Sequence, residues 1–571
     1  MKYSIKITKF TQKTNHMKTQ KALYLTSLMA VALVSCKSVH KIPVPVAMQN
    51  AIDISAKTVA LTEDEKQTWG HKDLATDSIP GMSVLQAYAF LEGKPSTEVI
   101  VSVNDSGIDL DHEDLKDVLW VNEKEVPNNG KDDDKNGFID DVHGWNFLGG
   151  MYDENLEITR IIKLKSKKFE GKTAAEIDPK DKAEYDEYME LKEVFDKKLA
   201  EAESSKEQYS FYYAMFEQTH QTLIEKTGKE DYTAEDVAAI ETTDEKLMKQ
   251  KEMAIGMLKS GTNFKAEMLQ IQRGVDHYTS SVNSHYNLDF HPRRELGDDE
   301  NDYSVKVYGN GDPRNIQDDE IHGTHVAGII LATNNNGKGV DGVAKNVKLM
   351  SVRCVPNGDE YDKDVALAFK YAVDNGAKVI NTSFGKGYSM HADWVHDAIK
   401  YAEKHDVLIV NAAGNDAQNI DEEPTYPNDA ADLVNEVSDN MITIGAMSSN
   451  YGENMLATFS NYGKINVDIF APGVQIYAPV PNNDYKFLSG TSMASPSTAG
   501  VAAMIRSYYP ELSASQVKHI LMNSGTLINF KVLKPGSETE LVALSDLCVT
   551  GRIVNAYNAV KMADAMVNKG K

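Results

Sequence analysis

The sequence predicts an α/β fold: a parallel sheet with helices on both faces, plus an inserted α-helical subdomain. Three observations predict it. Short runs that are apolar almost throughout alternate with longer amphipathic runs, the pattern of strands buried on both faces beneath covering helices. Several of the apolar runs end on Asp, Ser, Gly or Asn, at the strand ends where open α/β sheets bind ligands. Between residues 151 and 284 the texture changes to charged segments of helical periodicity.

Taken in order, the chain begins with an export-like segment. Lys18 and Lys21 precede ALYLTSLMAVALV (22–34), which is too short to cross a bilayer but suits the apolar stretch of a signal peptide. Residues 1–35 are read as that signal, with Met17 a candidate start, and residues 36–80 as a polar lead-in containing Pro43 and Pro45. A first domain part, 81–150, carries a helical LQAYAFLEG (85–93), a strand in EVIVSVNDSG (98–107) and an acidic loop, GKDDDKNGFIDDVHGWNF (130–147).

The insertion, 151–284, follows. In KAEYDEYMELKEVFDKKLAEA (182–202), Tyr185, Tyr188, Leu191, Phe195, Leu199 and Ala202 fall at helical spacing, read as the insertion's own core. TAEDVAAI (233–240) opens with a capping-box pair, Thr233 and Asp236, and FKAEMLQIQRGV (264–275) continues the pattern, so a helical hairpin or small bundle is expected. The second domain part, 285–571, resumes the alternation: helix 322–333, strand 346–355, helix 363–376, strand 377–385, helix 392–405 and strand 407–415.

Composition narrows the function classes. With 85 acidic against 60 basic residues and a formal charge of −25, nucleic acid and anionic membrane surfaces are poor partners. Cys354 sits in the strand-like VKLMSVRCV (347–355) and reads as a buried free thiol, although export would permit a disulfide to Cys548.

The chemistry concentrates in four short segments. HGTHVAG (322–328) sets His322 and His325 three residues apart at a helix start. As a metal grip the pair is incomplete: helical zinc sites use i, i+4 histidines with a glutamate between them, and Gly323 and Thr324 stand there instead. As a general base, His322 needs a nucleophile and a carboxylate. NDSGID (104–109) offers Asp105 at a strand end, and SGTSMASPSTAGVAAMI (489–505) offers Ser492 among small residues before an apolar helix, with Pro496 in its first turn. A serine hydroxyl attacks only when a base takes its proton, and the base needs a buried carboxylate to hold its tautomer. NAAGND (411–416) adds Asn415, a side-chain donor for an oxyanion. The α/β-hydrolase esterases need a G-x-S-x-G turn and the order Ser, Asp, His, whereas Ser492 comes last here.

In this order, DSG, HGTHVAG, AAGN and GTSMASP resemble the motifs of the subtilisin-like serine proteases, the subtilases, over roughly residues 80–565 apart from the insertion. The resemblance implies a subtilisin-like fold and a serine endopeptidase acting through an acyl-enzyme on protein or peptide substrates, with no organic cofactor. It implies that Asp105 orients His322 as the base, that Ser492 is the nucleophile and that Asn415 donates to the oxyanion. It further implies that Ser383, Phe384 and Gly385 pair with substrate backbone and that Ala412, Ala413 and Gly414 line the primary specificity pocket, with His325 packed in its helix. Leu33-Val34-Ser35-Cys36 resembles the lipobox of bacterial lipoproteins, which implies cleavage before Cys36, a lipid on its thiol and anchorage to a bacterial envelope membrane. The alternative is a catalytically inactive lipoprotein that keeps the subtilase fold as a binding scaffold.

The acidic loop spaces hard oxygen donors as an EF-hand-type loop does. Asp132, Asp134, Asn136 and Asp140 take positions 1, 3, 5 and 9, Phe138 offers its carbonyl between the last two, and Gly137 stands at the sharp turn. His143 occupies the place of the bidentate glutamate, so Asp141 or a water is expected to complete the shell of a structural calcium ion. Asp114 aligns with a calcium ligand of compact subtilisins.

Overall fold

Residues 57–261 and 264–568 are described by a computed structural model; the signal-like segment and Cys36 lie outside the described residues. Seven strands come first: β1 (Val99–Asp105), β2 (Gly144–Asn146), β3 (Val347–Arg353), β4 (Val379–Thr382), β5 (Leu408–Ala412), β6 (Met441–Met447) and β7 (Ile469–Pro472). A hairpin of β8 (Ile476–Val480) and β9 (Asp484–Leu488) follows, then β10 (Thr526–Leu527), a hairpin of β11 (Lys531–Leu533) and β12 (Leu541–Ala543), and β13 (Arg552–Ile553). The main sheet has the order β10-β13-β7-β6-β5-β4-β1-β3-β2. Its pairings are parallel except for the antiparallel edge of β10 on β13.

The near-continuous apolar runs have a physical cause. Successive strand residues point to opposite faces, and both faces are covered. Leu349, Val379, Leu408 and Val410 join one apolar cluster, which the helices His322–Leu331 and Thr491–Tyr508 complete. Met350, Ile380 and Ile409 join the other, beneath the helices Asp362–Asp374 and Ala392–Lys404. The end of the predicted lead-in takes part as well: Trp69 and Ile79 are buried in the first cluster, and the Trp69 indole N–H donates to the carbonyls of Val474 and Gln475, both at 3.2 Å. Cys354 and Cys548 are buried free thiols.

The insertion folds into the helices Glu157–Phe169, Lys182–Thr227, Ala234–Ala238, Glu245–Lys259 and Phe264–Ser280. The expected stripe lies on a 46-residue helix that continues past 202 to Thr227. Tyr185, Tyr188 and Phe195 pack with Ile158, Ile162 and Phe169 in a proximal core, and Leu223, Tyr232, Val237, Ala254 and Phe264 form a separate distal one. The Thr233–Asp236 capping box forms as its sequence indicates.

Candidate active site

β1 carries Asp105 to the C-terminal edge of the sheet, and His322 meets it as the first residue of the helix His322–Leu331. His322 Nδ1 donates to Asp105 Oδ1 at 2.8 Å, and the Ser106 N–H donates to the same oxygen at 2.8 Å. This hydrogen bond sets the tautomer and leaves Nε2 as the acceptor. The helix comes this close because residue 323 is glycine: a Cβ there would lie 2.3 Å from the Gly107 carbonyl oxygen and 3.2 Å from Asp105 Oδ1. Burial alone would lower the His322 pKa, but the Asp105 carboxylate outweighs it and raises the value above the ordinary one.

His325 meets a different environment. It is fully buried, its Nε2 donates to the carbonyls of Ile476 (3.1 Å) and Lys486 (3.0 Å), and burial pushes its pKa down to about 4. It is a neutral core residue tied to the β8–β9 hairpin.

Ser492 is the second residue of the helix Thr491–Tyr508. Pro496 stands in the second turn rather than the first, and having no N–H it leaves the Ser492 carbonyl without its helical donor. Ser383 Oγ supplies one instead at 2.9 Å, and in return Ser492 Oγ donates to the Ser383 carbonyl at 3.0 Å. Asn415 Oδ1 accepts from the N–H (2.8 Å) and the hydroxyl (3.0 Å) of Thr491. That fixes the amide, so its Nδ2 is the group left to donate. Behind the 412–414 segment, buried Asn461 donates to the Ala413 carbonyl at 2.9 Å and accepts from the N–H groups of Asp416 (2.9 Å) and Gln418 (3.0 Å).

All the residues expected to act on or bind a substrate line one cleft of about 470 Å³: Asp105, His322, Ser492 and Asn415 with the segments 383–385 and 412–414. Sequence reasoning missed Thr491, Asn461 and the opposite rim, which includes Val355, Pro356, Gly358 and Glu360. Thr491 was readable beside Ser492 in the GTS motif, whereas Asn461 lies far downstream in a segment with no catalytic signature.

The sequence model of the subtilase family matches residues 96–539. The chain belongs to the subtilase family. It is 37% identical over 242 residues to the thermophilic serine proteinase of Bacillus sp. (strain AK1), covering 42% of this chain and 52% of that one. It is 38% identical over 229 residues to the cell wall-associated protease of Bacillus subtilis (strain 168), covering 40% and 24%. With subtilisin DY of Bacillus licheniformis the identity is 38% over 207 residues, covering 36% and 70%. The chain thus spans about half the length of the first relative and about a quarter of the second.

In this subtilase the acidic loop closes around a residue outside it. Glu125, buried upstream, accepts from the N–H groups of Asp133 (2.9 Å), Asp134 (3.1 Å) and Asp140 (3.2 Å). Glu125, Asp132 and Asp134 each bring a carboxylate oxygen within 4.8 Å of the others, a span that suits opposed ligands about 2.4 Å from a calcium ion. Every carboxylate of the loop also accepts hydrogen bonds: Asp132 and Asp134 both accept from the Asn136 N–H, at 3.1 and 3.0 Å. Asp140 caps the preceding turn through the N–H groups of Asn129 (3.0 Å) and Gly130 (2.9 Å). Asp141 is buried against the Tyr371 hydroxyl (2.8 Å) and the side-chain amides of Asn122 (3.0 Å) and Asn136 (3.1 Å). Asn136 Oδ1 turns back to the Phe138 N–H at 2.7 Å, and the Phe138 ring packs on Trp145 and Tyr371. Asp114 lies buried under the 334–342 loop, where its carboxylate accepts from Asn336 and, at 3.3 Å, from the Tyr485 hydroxyl.

Proposed function

We propose that the protein is an exported, lipid-anchored serine endopeptidase that cleaves peptide bonds through an acyl-enzyme. The observation that carries this reading is one cleft containing a serine at a helix start and a histidine held by a buried aspartate through Nδ1. Rotation of Ser492 Oγ away from the Ser383 carbonyl turns it toward His322 Nε2. His322 then takes the proton as the oxygen attacks the substrate carbonyl, and Asp105 stabilises the imidazolium that results. The developing oxyanion is met by the Ser492 N–H at the helix N-terminus and by Asn415 Nδ2, whose orientation Thr491 sets beforehand. His322 returns the proton to the leaving amine, and water repeats the sequence on the acyl-enzyme.

Strand topology supports a polypeptide substrate. β1 stops at Asp105, while its neighbours β3 and β4 lead into the rims that contain 355–360 and 383–387. Strands two places apart in a sheet are separated by about 9–10 Å, room for one extended chain between them. A peptide laid there adds as a strand and presents its carbonyl to Ser492, with a side chain beside the small residues 412–414. Glu125, Asp132 and Asp134 support a calcium ion that would neutralise three converging carboxylates and brace the loop. The lipobox-like segment ending at Cys36 supports export and a lipid anchor.

A fluorophosphonate probe tests the reading. The protein is expected to be labelled, Ser492→Ala to lose the label, and brief treatment with a chelator to leave labelling intact. A folded parent protein that takes no label would sink the proposal. Metabolic labelling with palmitate, abolished by Cys36→Ala, checks the anchor.

A further inference from the structure

The first helix of the insertion reaches both rims of the cleft at once. Glu157 and Arg160 lie in its first turn and are 1% and 4% exposed. Toward one rim, the Glu157 N–H donates to the Asp359 carboxylate at 2.7 Å, and Arg160 Nη2 donates to the carbonyls of Asp359 and Glu360, both at 3.0 Å. The guanidinium also lies 3.8 Å from the centre of the Tyr361 ring. Toward the other rim, Glu157 Oε1 accepts from the Met390 N–H at 3.0 Å, and Oε2 lies 3.3 Å from Lys386 Nζ. Arg160 and Glu157 are themselves joined at 2.6 Å. Lys386 crosses the gap in the same layer, donating to the Glu360 carbonyl at 2.8 Å and pairing with Asp362 at 2.9 Å.

Anchoring the insertion does not by itself account for this arrangement. The segment that follows the insertion is already tied to the helix Asp362–Asp374 by Arg293, which pairs with Asp364 at 2.6 Å and with Asp298 at 2.8 Å. Buried ion pairs are a poor source of net stability, because desolvation offsets the attraction, but they demand particular geometry from every group they touch. Here the groups they touch are the carbonyls of Asp359 and Glu360, the Met390 N–H and the Lys386 ammonium, on the segments that form or continue the two rims. Tyr388, three residues beyond Gly385, packs into the insertion's proximal core, so the 383–390 rim is built partly from the insertion.

We propose that Glu157 and Arg160 are positioning residues that set the spacing of the two rims, so that the insertion governs how tightly the enzyme grips extended substrates. This rests on the peptidase reading above. Neither side chain lines the cleft, so their loss removes no group that meets the reacting atoms, and the reciprocal Ser383–Ser492 hydrogen bonds are expected to keep the nucleophile in place. The consequence is a split by substrate length.

Glu157→Gln and Arg160→Met are to be compared with the parent protein on three reagents: the fluorophosphonate probe, a single-residue ester, and a long peptide amide that fills the rims on the acyl side. Probe labelling and ester hydrolysis should stay within about twofold, while kcat/KM on the long peptide falls about tenfold or more, mainly through KM. Equal losses on short and long substrates, or an unchanged long-peptide KM in variants that melt like the parent, would overturn the proposal. An unlabelled parent protein would instead overturn the peptidase reading. Should the variants not fold, hydrogen exchange on the parent decides. A long peptide boronate should protect the amides of 157–163 and 386–390, the fluorophosphonate alone should not, and no added protection at 157–163 would refute the positioning role.

Discussion

His322 and His325 sit about one helical turn apart and carry opposite electrostatics, which no reading of HGTHVAG by itself predicts. Burial works against the charged form of both, but the carboxylate of Asp105 raises the His322 pKa all the same, whereas His325 is pushed down to about 4 and gives its N–H to backbone carbonyls. Two expectations follow from the proposed roles. The acid limb of kcat/KM should have its midpoint above the ordinary histidine value of about 6.5, since only neutral His322 accepts the serine proton. Asp105→Asn should move that limb down and slow turnover by about four orders of magnitude; a limb that stays put would exclude His322 as the titrating base. The same pair makes a stability contribution of fixed sign. A folded-state pKa above the unfolded one favours folding fully below the unfolded value, and the gain is lost as pH rises through the folded value. Asn415→Ala should reduce kcat about a hundredfold with the fold intact, because Thr491 aims only the amide donor at the oxyanion. Undiminished kcat would remove Asn415 from the mechanism.

Elements were legible wherever periodicity was set by burial. Strand and helix runs from 322 to 415 were readable because each strand feeds two cores and each helix feeds one. Turns and loops were less so, because their donors come from distant backbone. The Pro496 position matters through a missing N–H that Ser383 replaces at the Ser492 carbonyl, a relation between Ser383 and Ser492, 109 positions apart. The acidic loop makes the same point: its spacing suggested six ligands but not Glu125, buried upstream, whose carboxylate converges with those of Asp132 and Asp134, while Asp140 faces a turn and Asp141 faces Tyr371. Burial pushes the Asp141 pKa up to about 6 despite its three donors. Calcium should therefore raise the melting temperature by roughly 5 °C or more. Glu125→Gln, or Asp132→Ala with Asp134→Ala, should abolish that shift while Asp141→Asn keeps it. Loss of the shift in Asp141→Asn alone would restore the loop-only ligand set.

At the scale of the whole molecule, the order of the four motifs was enough to identify the family, because a doubly covered sheet brings strand ends that are remote in sequence to one edge. The insertion was legible as helical but silent as to purpose, since Glu157, Arg160 and Lys386 are ordinary surface-type residues until the fold buries them together. Its two separate cores make the division of labour testable. The proximal core holds Phe195 against Tyr286 at 5.9 Å between ring centres, next to the clamp on the rims, and the distal core shares no residue with it. Between them Tyr209 and Tyr278 lie side by side, 5.4 Å between ring centres, so the long helix and its returning partner are direct neighbours there. Packed helices have axes about 8–10 Å apart, a distance that a loop of about four to six residues spans. Replacing 210–277 with such a Gly/Ser loop should give a protein that melts cooperatively. Its fluorophosphonate labelling and long-peptide KM should stay within about twofold of the parent, since remote, unconnected sites contribute independently. A KM that rises as it does in Glu157→Gln would mean that rim spacing is set by the full length of the insertion rather than by its first helix.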